Sequence, residues 1–372
     1  MRLPHRCWAE VDLDALRENL AWIRHRAGSR AKVITVVKAD AYGHGLKPIA
    51  GLLMQSGTDI FGVANLTEAQ AIRSVGQGWP ILMLGACLPE EISVAVRDNV
   101  MPTISSLAEA ERFSAAAKKA GKICDVHVKV DTGMGRLGSR AEDALDLIRK
   151  IKSSASLKLH GIYTHFASVE DDAEFSRQQI ESFKAVLGEI KAAGVRVPLV
   201  HANNSGALLL ERSSIFNAVR PGLLVFGVIP PGQRPVECTV RPALSWKCRV
   251  SLVREIPRGT RLSYGGTFVA PKKMRVATLS AGYGDGYLRA SSNHAQVLIR
   301  GVRCPILGRI TMDQILADVS HVTGVTAGDQ VILIGGTISA NNVAEWAGTV
   351  PWEVLTAITY RVPRVYRGSQ AA

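Results

Sequence analysis

The stretch VITVVKADAYGHG, residues 33–45, decides the fold predicted for this chain. A run of mostly β-branched apolar residues leads into Lys38, and such a run is typical of a parallel strand that is buried on both faces. We therefore predict a strand at Val33–Ala39 with Lys38 near its carboxyl end. Because an ammonium group is costly to desolvate, the lysine either extends its stem to reach solvent or has a chemical role.

The same pattern of a short apolar run, a polar or glycine break and an amphipathic helical stretch recurs from Lys32 to Gly227. Eight strands with intervening helices are typical of a (β/α)8 TIM-like barrel. An open doubly wound sheet is the alternative, but no glycine-rich fingerprint follows the first strand. The predicted strands are Val33–Ala39, Ile60–Ala64, Ile81–Gly85, Met101–Ser105, Ile123–Asp131, Leu157–His165, Leu199–Ser205 and Ala218–Gly227.

The pattern of apolar runs, glycine and proline changes after VIPPGQRPVE, residues 228–237. Short β-rich runs such as LSWKCRVSLVREI and DQVILIGG are separated by proline and glycine, with one helical stretch near Asn342–Trp346. We predict two domains, an α/β barrel at residues 1–236 and a mainly β domain at residues 237–372.

The composition is that of an ordinary globular protein, with 47% hydrophobic and 21% charged residues among 372. No apolar run reaches the roughly 18–20 residues of a membrane helix, and the opening MRLPHRCWAEVDLDAL lacks the apolar segment of a signal peptide. The six cysteines show no metal-binding or disulfide spacing, so we expect no metal and a reducing cytoplasm. The formal charge of +13 is scattered along the chain, which predicts mild attraction of anions and no nucleic-acid partner.

Reactive groups of a (β/α)8 barrel lie at the carboxyl ends of its strands. A lysine in an apolar wall has a depressed pKa and can form a Schiff base, and the loops after strands seven and eight commonly bind phosphate. Together these features predict pyridoxal 5′-phosphate, with Arg220 facing its ring nitrogen. Taken singly, Arg220 is more readily explained by a structural ion pair and Ser205 by a turn cap. The candidate groups are Lys38, Tyr42, Arg136, His165, Ser205, Arg220 and Gly222.

The run VHVKVDTGMGR places a second lysine inside the predicted barrel. Val126, Val128 and Val130 suit the helix layer, which leaves Lys129 in the lumen, where an unpaired ammonium is unfavourable. The lysine could pair with Asp131, which the sequence alone slightly favours, or be carbamylated into an anion that supports Arg136.

Nine ordered motifs resemble those of the alanine racemase family, from about Trp8 to Arg364. They are VVKADAYGHG, VDTGMGRLG, THFA, NSG, VRPG, LSYGGTF, AGYGDGY, GRITMDQ and EVLTAITYRVPR. The resemblance implies interconversion of L-alanine and D-alanine on pyridoxal phosphate, which supplies D-alanine for peptidoglycan. It also implies a head-to-tail homodimer in which the C-terminal domain of one chain completes the active site of the other.

The resemblance also implies the roles of individual residues. Lys38 would hold the cofactor and remove the α-proton of D-alanine, and Tyr264 would be the base for L-alanine. Arg136 would contact the cofactor and the substrate carboxylate, with a carbamylated Lys129 positioning it and with His165 beside Tyr264. The remaining implied residues are Arg220 backed by His201 at the ring nitrogen, Tyr42, Ser205, Gly222 and Leu223 at the phosphate, Met312 at the substrate carboxylate, and Tyr283 at the entrance.

One departure from the family pattern concerns the entrance. Trp352 stands where the family usually has a tyrosine before EVLT, so a phosphate-directed hydroxyl is lost and an indole N–H could replace it. The closest alternative is a broad-specificity amino-acid racemase on the same scaffold. A cofactor carrier would need no C-terminal domain, a decarboxylase would need motifs that are missing, and an aldolase would bind no cofactor.

Overall fold

The computed structural model describes residues 5–210, 216–232 and 237–368. Eight parallel strands, the second to the ninth of the chain, close into a barrel in sequential order, which confirms the predicted architecture. They are β2 (Lys32–Val36), β3 (Ile60–Val63), β4 (Ile81–Met83), β5 (Met101–Ile104), β6 (Cys124–Lys129), β7 (Leu157–Tyr163), β8 (Leu199–His201) and β9 (Ala218–Val219).

Helices surround the barrel, and several of them begin after a residue whose side chain accepts from a free backbone N–H group. Asn65, Ser106 and Asp172 each accept a hydrogen bond from the N–H three residues later. The helical segments are α1 (Leu13–Ala27), α2 (Lys38–Gly43), α3 (Leu46–Gln55), α4 (Leu66–Arg73), α5 (Ile92–Arg97), α6 (Leu107–Lys119), α7 (Ala144–Ser153), α8 (Ala173–Ala192) and α9 (Ser205–Leu210).

The C-terminal part is mainly β, as predicted. The late helical stretch is confirmed as α10 (Ala340–Ala347), and a further helix follows it, α11 (Pro351–Thr356). The strands are β10 (Leu244–Ile256), β11 (Arg261–Leu262), β12 (Phe268–Val269), β13 (Met274–Leu279), β14 (Gln296–Ile299), β15 (Val302–Pro305), β16 (Ile315–Asp318), β17 (Gln330–Ile334) and β18 (Arg364–Arg367).

The first strand of the chain, β1 (Cys7–Asp12), belongs to the largest C-terminal sheet, whose order is β15-β14-β17-β10-β1-β18, with β13 paired to β10 and β16 paired to β13. It pairs antiparallel with β10 and parallel with β18, so the chain enters the β domain before it builds the barrel. The predicted division after residue 236 falls in the linker, where residues 233–236 lie outside the described ranges, and it stays a prediction. None of the helices in the described ranges is long and apolar enough to cross a membrane.

Several barrel strands end earlier than predicted, and the polar groups therefore lie in the connections after them. Strand β2 ends at Val36, two residues before Lys38, and Ser205 begins α9. After β9, Pro221 has no N–H for a strand ladder, and the apolar run Leu223–Phe226 forms a buried 3-10 turn. Arg220 and Gly222 therefore follow β9, the eighth strand of the barrel, and do not lie on it.

Candidate active site

The segment after β2 turns with the opposite hand to a normal helix. Ala39 to Tyr42 have φ between 52° and 54° and ψ between 43° and 56°, a conformation that costs L-residues about 1–2 kcal/mol each. The Glu68 carboxylate accepts hydrogen bonds from the N–H groups of Ala39 (2.7 Å) and Ala64 (2.7 Å), which fixes the start of this turn.

The C-terminal domain holds the other end of the left-handed turn. Arg364 Nε donates to the Gly43 carbonyl (2.9 Å), and the Tyr366 hydroxyl donates to the His44 carbonyl (3.0 Å). A Cβ at Gly43 would overlap the Leu355 carbonyl of α11, so the close approach of this helix requires glycine. The packing fixes Lys38 at the barrel mouth and brings α11 over it.

A cavity of about 480 Å³ opens at this mouth, within the usual range for a small-molecule site. The structure brings together in its lining ten of the residues that the sequence singled out. They are Lys38, Tyr42, Lys129, Arg136, His165, Ser205, Arg220, Gly222, Leu223 and Trp352. His201 is buried directly behind Arg220, whereas Tyr264, Tyr283 and Met312 do not line this cavity.

Four cationic side chains face the cavity. In the described ranges no carboxylate forms an ion pair with Lys38, Lys129, Arg136 or Arg220. The ion pair considered for Lys129 is not formed, because the carboxylate oxygens of Asp131 accept the N–H groups of the glycine loop that follows it. The cavity is therefore suited to anionic groups such as phosphate and carboxylate.

Burial changes the proton affinity of both lysines. It lowers the pKa of Lys38, and the nearby Arg136 charge adds to this effect. Burial, followed by the charges of Arg136 and Arg220, lowers the pKa of Lys129 to about 8. The lowered pKa increases the fraction of unprotonated amine, the form in which a lysine acts as a nucleophile or a base.

Arg220 is held below the cavity by neutral acceptors. Its Nη1 donates to His201 Nδ1 (2.8 Å), and its Nη2 donates to the carbonyls of Thr164 (2.7 Å) and Ala202 (3.0 Å) and to His165 Nδ1 (3.3 Å). Burial lowers the pKa of Arg220 to about 10, so the side chain stays cationic at neutral pH. It offers donors only, which suits an acceptor atom on a ligand.

A small polar cup, formed by Tyr42, Ser205 and Gly222, lies beside Arg220. The Ser205 hydroxyl accepts the N–H groups of Gly222 (3.0 Å) and Leu224 (3.3 Å). A Cβ at Gly222 would overlap the Tyr42 hydroxyl, so glycine is needed where these two groups meet. The hydroxyl groups of Ser205 and Tyr42 and the adjacent backbone N–H groups form the kind of site that binds a phosphate.

Comparison with known proteins gives one answer over nearly the whole length. The model of the alanine racemase N-terminal domain matches residues 11–230, and that of the alanine racemase C-terminal domain matches residues 243–366. The chain belongs to the alanine racemase family. It is 39% identical to the alanine racemase of Halothermothrix orenii over 371 residues, which are 98% of each chain.

Solved structures agree with this family assignment. The alanine racemase of Streptomyces lavendulae superposes with a TM-score of 0.93 at 32% identity over 99% of both chains. That of Bartonella henselae, described with covalently bound pyridoxal phosphate, gives a TM-score of 0.89 at 29% identity, over 98% of this chain and 100% of that one. Alanine racemases are pyridoxal-phosphate-dependent isomerases.

Two residues of this alanine racemase site were missed in the sequence. Glu68 follows Asn65 in a capping-box pattern and accepts from the Ala64 N–H within the same segment, but its contact with Ala39 is tertiary and leaves no local signal. Tyr163 stacks on the His201 ring (4.8 Å between centroids) beneath the Arg220 guanidinium. Its apolar neighbours in β7 gave it the character of a core residue.

Three residues expected in an alanine racemase site lie far out on the C-terminal domain. Tyr264, Met312 and Tyr283 are 69%, 53% and 39% exposed. Tyr283 and Met312 are neighbours, since the N–H of Tyr283 donates to the Thr311 carbonyl and that of Gly284 to the Met312 carbonyl. The cavity of a single chain therefore contains one of the two expected bases, Lys38, but does not contain the other, Tyr264.

Proposed function

We propose that this chain interconverts L-alanine and D-alanine with pyridoxal phosphate held on Lys38, and that each active site is shared by two chains. The observation that carries the proposal is the cavity in which Lys38 has no anionic partner, beside three further cations and a phosphate cup. The residues present fit the cofactor. Lys38 would bond its carbonyl carbon, the Ser205 cup with Tyr42 would bind its phosphate, and Arg220 would face its ring nitrogen.

Pyridoxal phosphate supplies an electron sink that makes the α-proton of a bound amino acid acidic. Arg220 can only donate, so it pairs with an unprotonated ring nitrogen and keeps that sink weaker than a carboxylate partner would. Because no carboxylate accepts from Arg220 in the described ranges, the site favours brief removal and return of a proton.

Racemisation needs a base on each face of the planar reaction centre. Lys38 supplies one face, with a pKa that burial lowers. His165 is not suited to the other, because its Nδ1 accepts from Arg220 and its Nε2 then carries the proton. The phenol of Tyr264 is the group that fits, and in the direction from L-alanine to D-alanine it removes the α-proton while Lys38 returns one.

We propose that the Tyr264 which serves each Lys38 comes from a second copy of the chain. The supporting observation is the exposure of Tyr264 and Met312 on the C-terminal domain, away from the cavity of their own chain. In a two-fold dimer this contact occurs twice and forms two equivalent sites. Met312 would then offer its backbone N–H to the substrate carboxylate, and Tyr283 would line the entrance.

Mixed dimers test this arrangement. Dimers of a Lys38→Ala chain with a Tyr264→Ala chain, purified by two different tags, contain one site with both lesions and one with none. They should recover close to half of the wild-type racemase activity, although each parent dimer is nearly inactive.

The mirrored control pairs a wild-type chain with a chain that carries both substitutions. Each shared site then has one lesion, so this dimer should be nearly inactive. Half activity in the control, with none in the first pair, would show that both bases come from one chain.

We further propose that Lys129 is carbamylated. Its unprotonated Nζ would bond the carbon of CO₂ and release one proton to form a carbamate. Counted from the ammonium form, two protons leave and an anion replaces the cation. The support is its surroundings, since Arg136 and Arg220 both lower its pKa while the Asp131 carboxylate is engaged by backbone N–H groups. The resulting anion would hold Arg136 over the cavity.

The proposed substrate is alanine rather than a broad set of amino acids. Trp352 lines the cavity from α11, and its indole leaves less room than the tyrosine usual in the family. Exchange of the α-proton in deuterated water across L- and D-amino acids measures this breadth. We place the enzyme in the cytoplasm, where its six free thiols would stay reduced and its D-alanine would supply peptidoglycan.

A further inference from the structure

Three histidines form a hydrogen-bonded chain that starts at Arg220 and runs down the barrel lumen. His201 Nδ1 lies 2.8 Å from Arg220 Nη1, His201 Nε2 lies 2.9 Å from His127 Nδ1, and His127 Nε2 lies 2.8 Å from His160 Nδ1. His127 and His201 are fully buried. His160 is partly buried and lines a depression at the amino ends of the strands, beside Asp125.

The direction of the chain follows from its first member. An arginine has donors only, so His201 Nδ1 must accept and its Nε2 must carry a proton. That proton is donated to His127 Nδ1, and the proton on His127 Nε2 is in turn donated to His160 Nδ1. Each histidine is therefore neutral and protonated on Nε2, and the whole chain depends on an acceptor at His160.

The strand that carries His160 is built to reach this chain. Leu159 pairs with Val126 and Gly161 pairs with His127, so His160 is an extra residue in a β-bulge of β7. A bulge redirects a side chain relative to the regular alternation of a strand. At the next position, a Cβ on Gly161 would lie 2.5 Å from the His127 ring, so glycine leaves the space that this imidazole fills.

We propose that His160 is a positioning residue that sets the hydrogen-bond direction of the chain and so holds Arg220 in place beneath the cofactor ring. The role of Arg220 rests on the proposed function, whereas the direction of the chain does not. A protonated His160 presents a donor to the donor of His127. One link of the chain must then break, or all the tautomers must reverse and place a donor against Arg220.

The surroundings of His160 oppose its protonation. Burial lowers its pKa, the Asp125 carboxylate opposes this effect, and the Lys158 ammonium reinforces it. Acidification that protonates His160 disturbs the chain. The charged groups around it, on its own strand, on β6 and in the depression from α4 and α5, are Lys158, Asp125, Arg73, Arg97 and Asp98.

The first test reads the tautomers directly by NMR of purified protein labelled with ¹⁵N-histidine, with signals assigned by single His→Gln variants. We expect His127, His160 and His201 all to carry their proton on Nε2 at pH 8. As acidification protonates His160, the signals of His127 and His201 should change together with its own. A proton on Nδ1 of His201 at pH 8, or a titration of His160 that leaves the other two unchanged, would overturn the proposal.

The second test compares two variants that differ in the acceptor. The amide oxygen in His160→Gln can still accept from His127 and does not titrate, so activity at pH 8 should stay within about twofold of wild type and the acid-dependent NMR change should vanish. His160→Leu removes the acceptor and should lower kcat roughly two- to tenfold, the effect of one net hydrogen bond. His25→Gln, at an exposed position on α1, is the control for an unrelated histidine.

Equal behaviour of the Gln and Leu variants in both kcat and the ¹⁵N spectra would overturn the role of His160. If His160→Leu does not fold, loss of the acid-dependent NMR change in His160→Gln still decides the matter. A wild-type protein without racemase activity would overturn the proposed function, while the tautomer measurement would still test the direction of the chain.

Discussion

Replacing Lys129 by methionine tests whether the wild-type side chain is a buried ammonium or a carbamate. The folded protein lowers the pKa of this amine from 10.5 to about 8, which corresponds to about 3 kcal/mol against the charged form. Because the folded-state pKa lies below the unfolded one, this penalty is fully present below pH 8 and is lifted as the pH rises toward 10.5. An unmodified Lys129 would thus make the wild type less stable than Lys129→Met at pH 7.5, by up to about 3 kcal/mol.

Carbamylation reverses this expectation. CO₂ would bind the folded protein and stabilise it by about 2.7 kcal/mol at a hundredfold excess over its dissociation constant. We therefore expect bicarbonate to raise the free energy of unfolding of the wild type at pH 7.5 and to leave Lys129→Met unchanged. The substitution should also lower kcat, because Arg136 loses the anion that holds it.

The assay is urea unfolding at one protomer concentration, with and without bicarbonate, because dimer stability depends on concentration. Labelled ¹³C-bicarbonate should in parallel give a carbamate NMR signal in the wild type alone. Lys152→Met, at an exposed position of α7, controls for the loss of a surface lysine. The same response to bicarbonate in the wild type and Lys129→Met, or a Lys129→Met protein about 3 kcal/mol more stable in saturating bicarbonate, would refute the carbamate.

Four other substitutions give further predictions. Tyr264→Phe should slow proton removal from L-alanine about 10²–10⁴-fold and affect removal from D-alanine far less, and equal primary isotope effects in both directions would contradict two separate bases. Trp352→Tyr should strengthen cofactor binding by roughly 1.5–3 kcal/mol if the phenol reaches the phosphate, whereas an unchanged affinity in a cofactor titration would mean that residue 352 does not face it. Glu68→Gln should lower the free energy of unfolding by about 2 kcal/mol, because a charged acceptor of two N–H groups becomes neutral. Ala39→Gly, at an exposed position with φ 52°, should raise it by about 0.5–1 kcal/mol, and a loss of stability would argue against the left-handed turn.

The hydrophobic periodicity of the sequence was sufficient to predict most of the barrel. Valines at every second position of β6 are fully buried, and the residues between them, His127 and Lys129, lie in the lumen. This could be predicted because alternation along a strand is a local property. The bulge at His160 breaks the same alternation in β7. The residues around His160 contain no sequence signal that indicates an extra residue in the strand.

The chemistry of the mouth was also readable from the sequence. Lys38, Ser205 and the pair Arg220 and Gly222 follow three different strands, and parallel strands of a barrel bring their carboxyl ends together. The motifs around these residues then indicated the alanine racemase family. The exact ends of the strands were not readable, because an apolar run such as Leu223–Phe226 is compatible with a buried strand and a buried turn alike.

The sequence by itself therefore determined the barrel, the mainly β C-terminal domain and the set of polar groups at the mouth, since each depends on local pattern or on resemblance. Only the tertiary structure decided how Lys38 is presented. Ala39 has no preference for the left-handed region, and contacts of Glu68 and Arg364, 29 and 321 residues away along the chain from the groups they bond, impose it. The resemblance implied Trp352 at the entrance, and the tertiary structure brings it to the cavity wall on α11. Hydrogen bonds and packing between segments far apart in sequence outweigh local backbone preference.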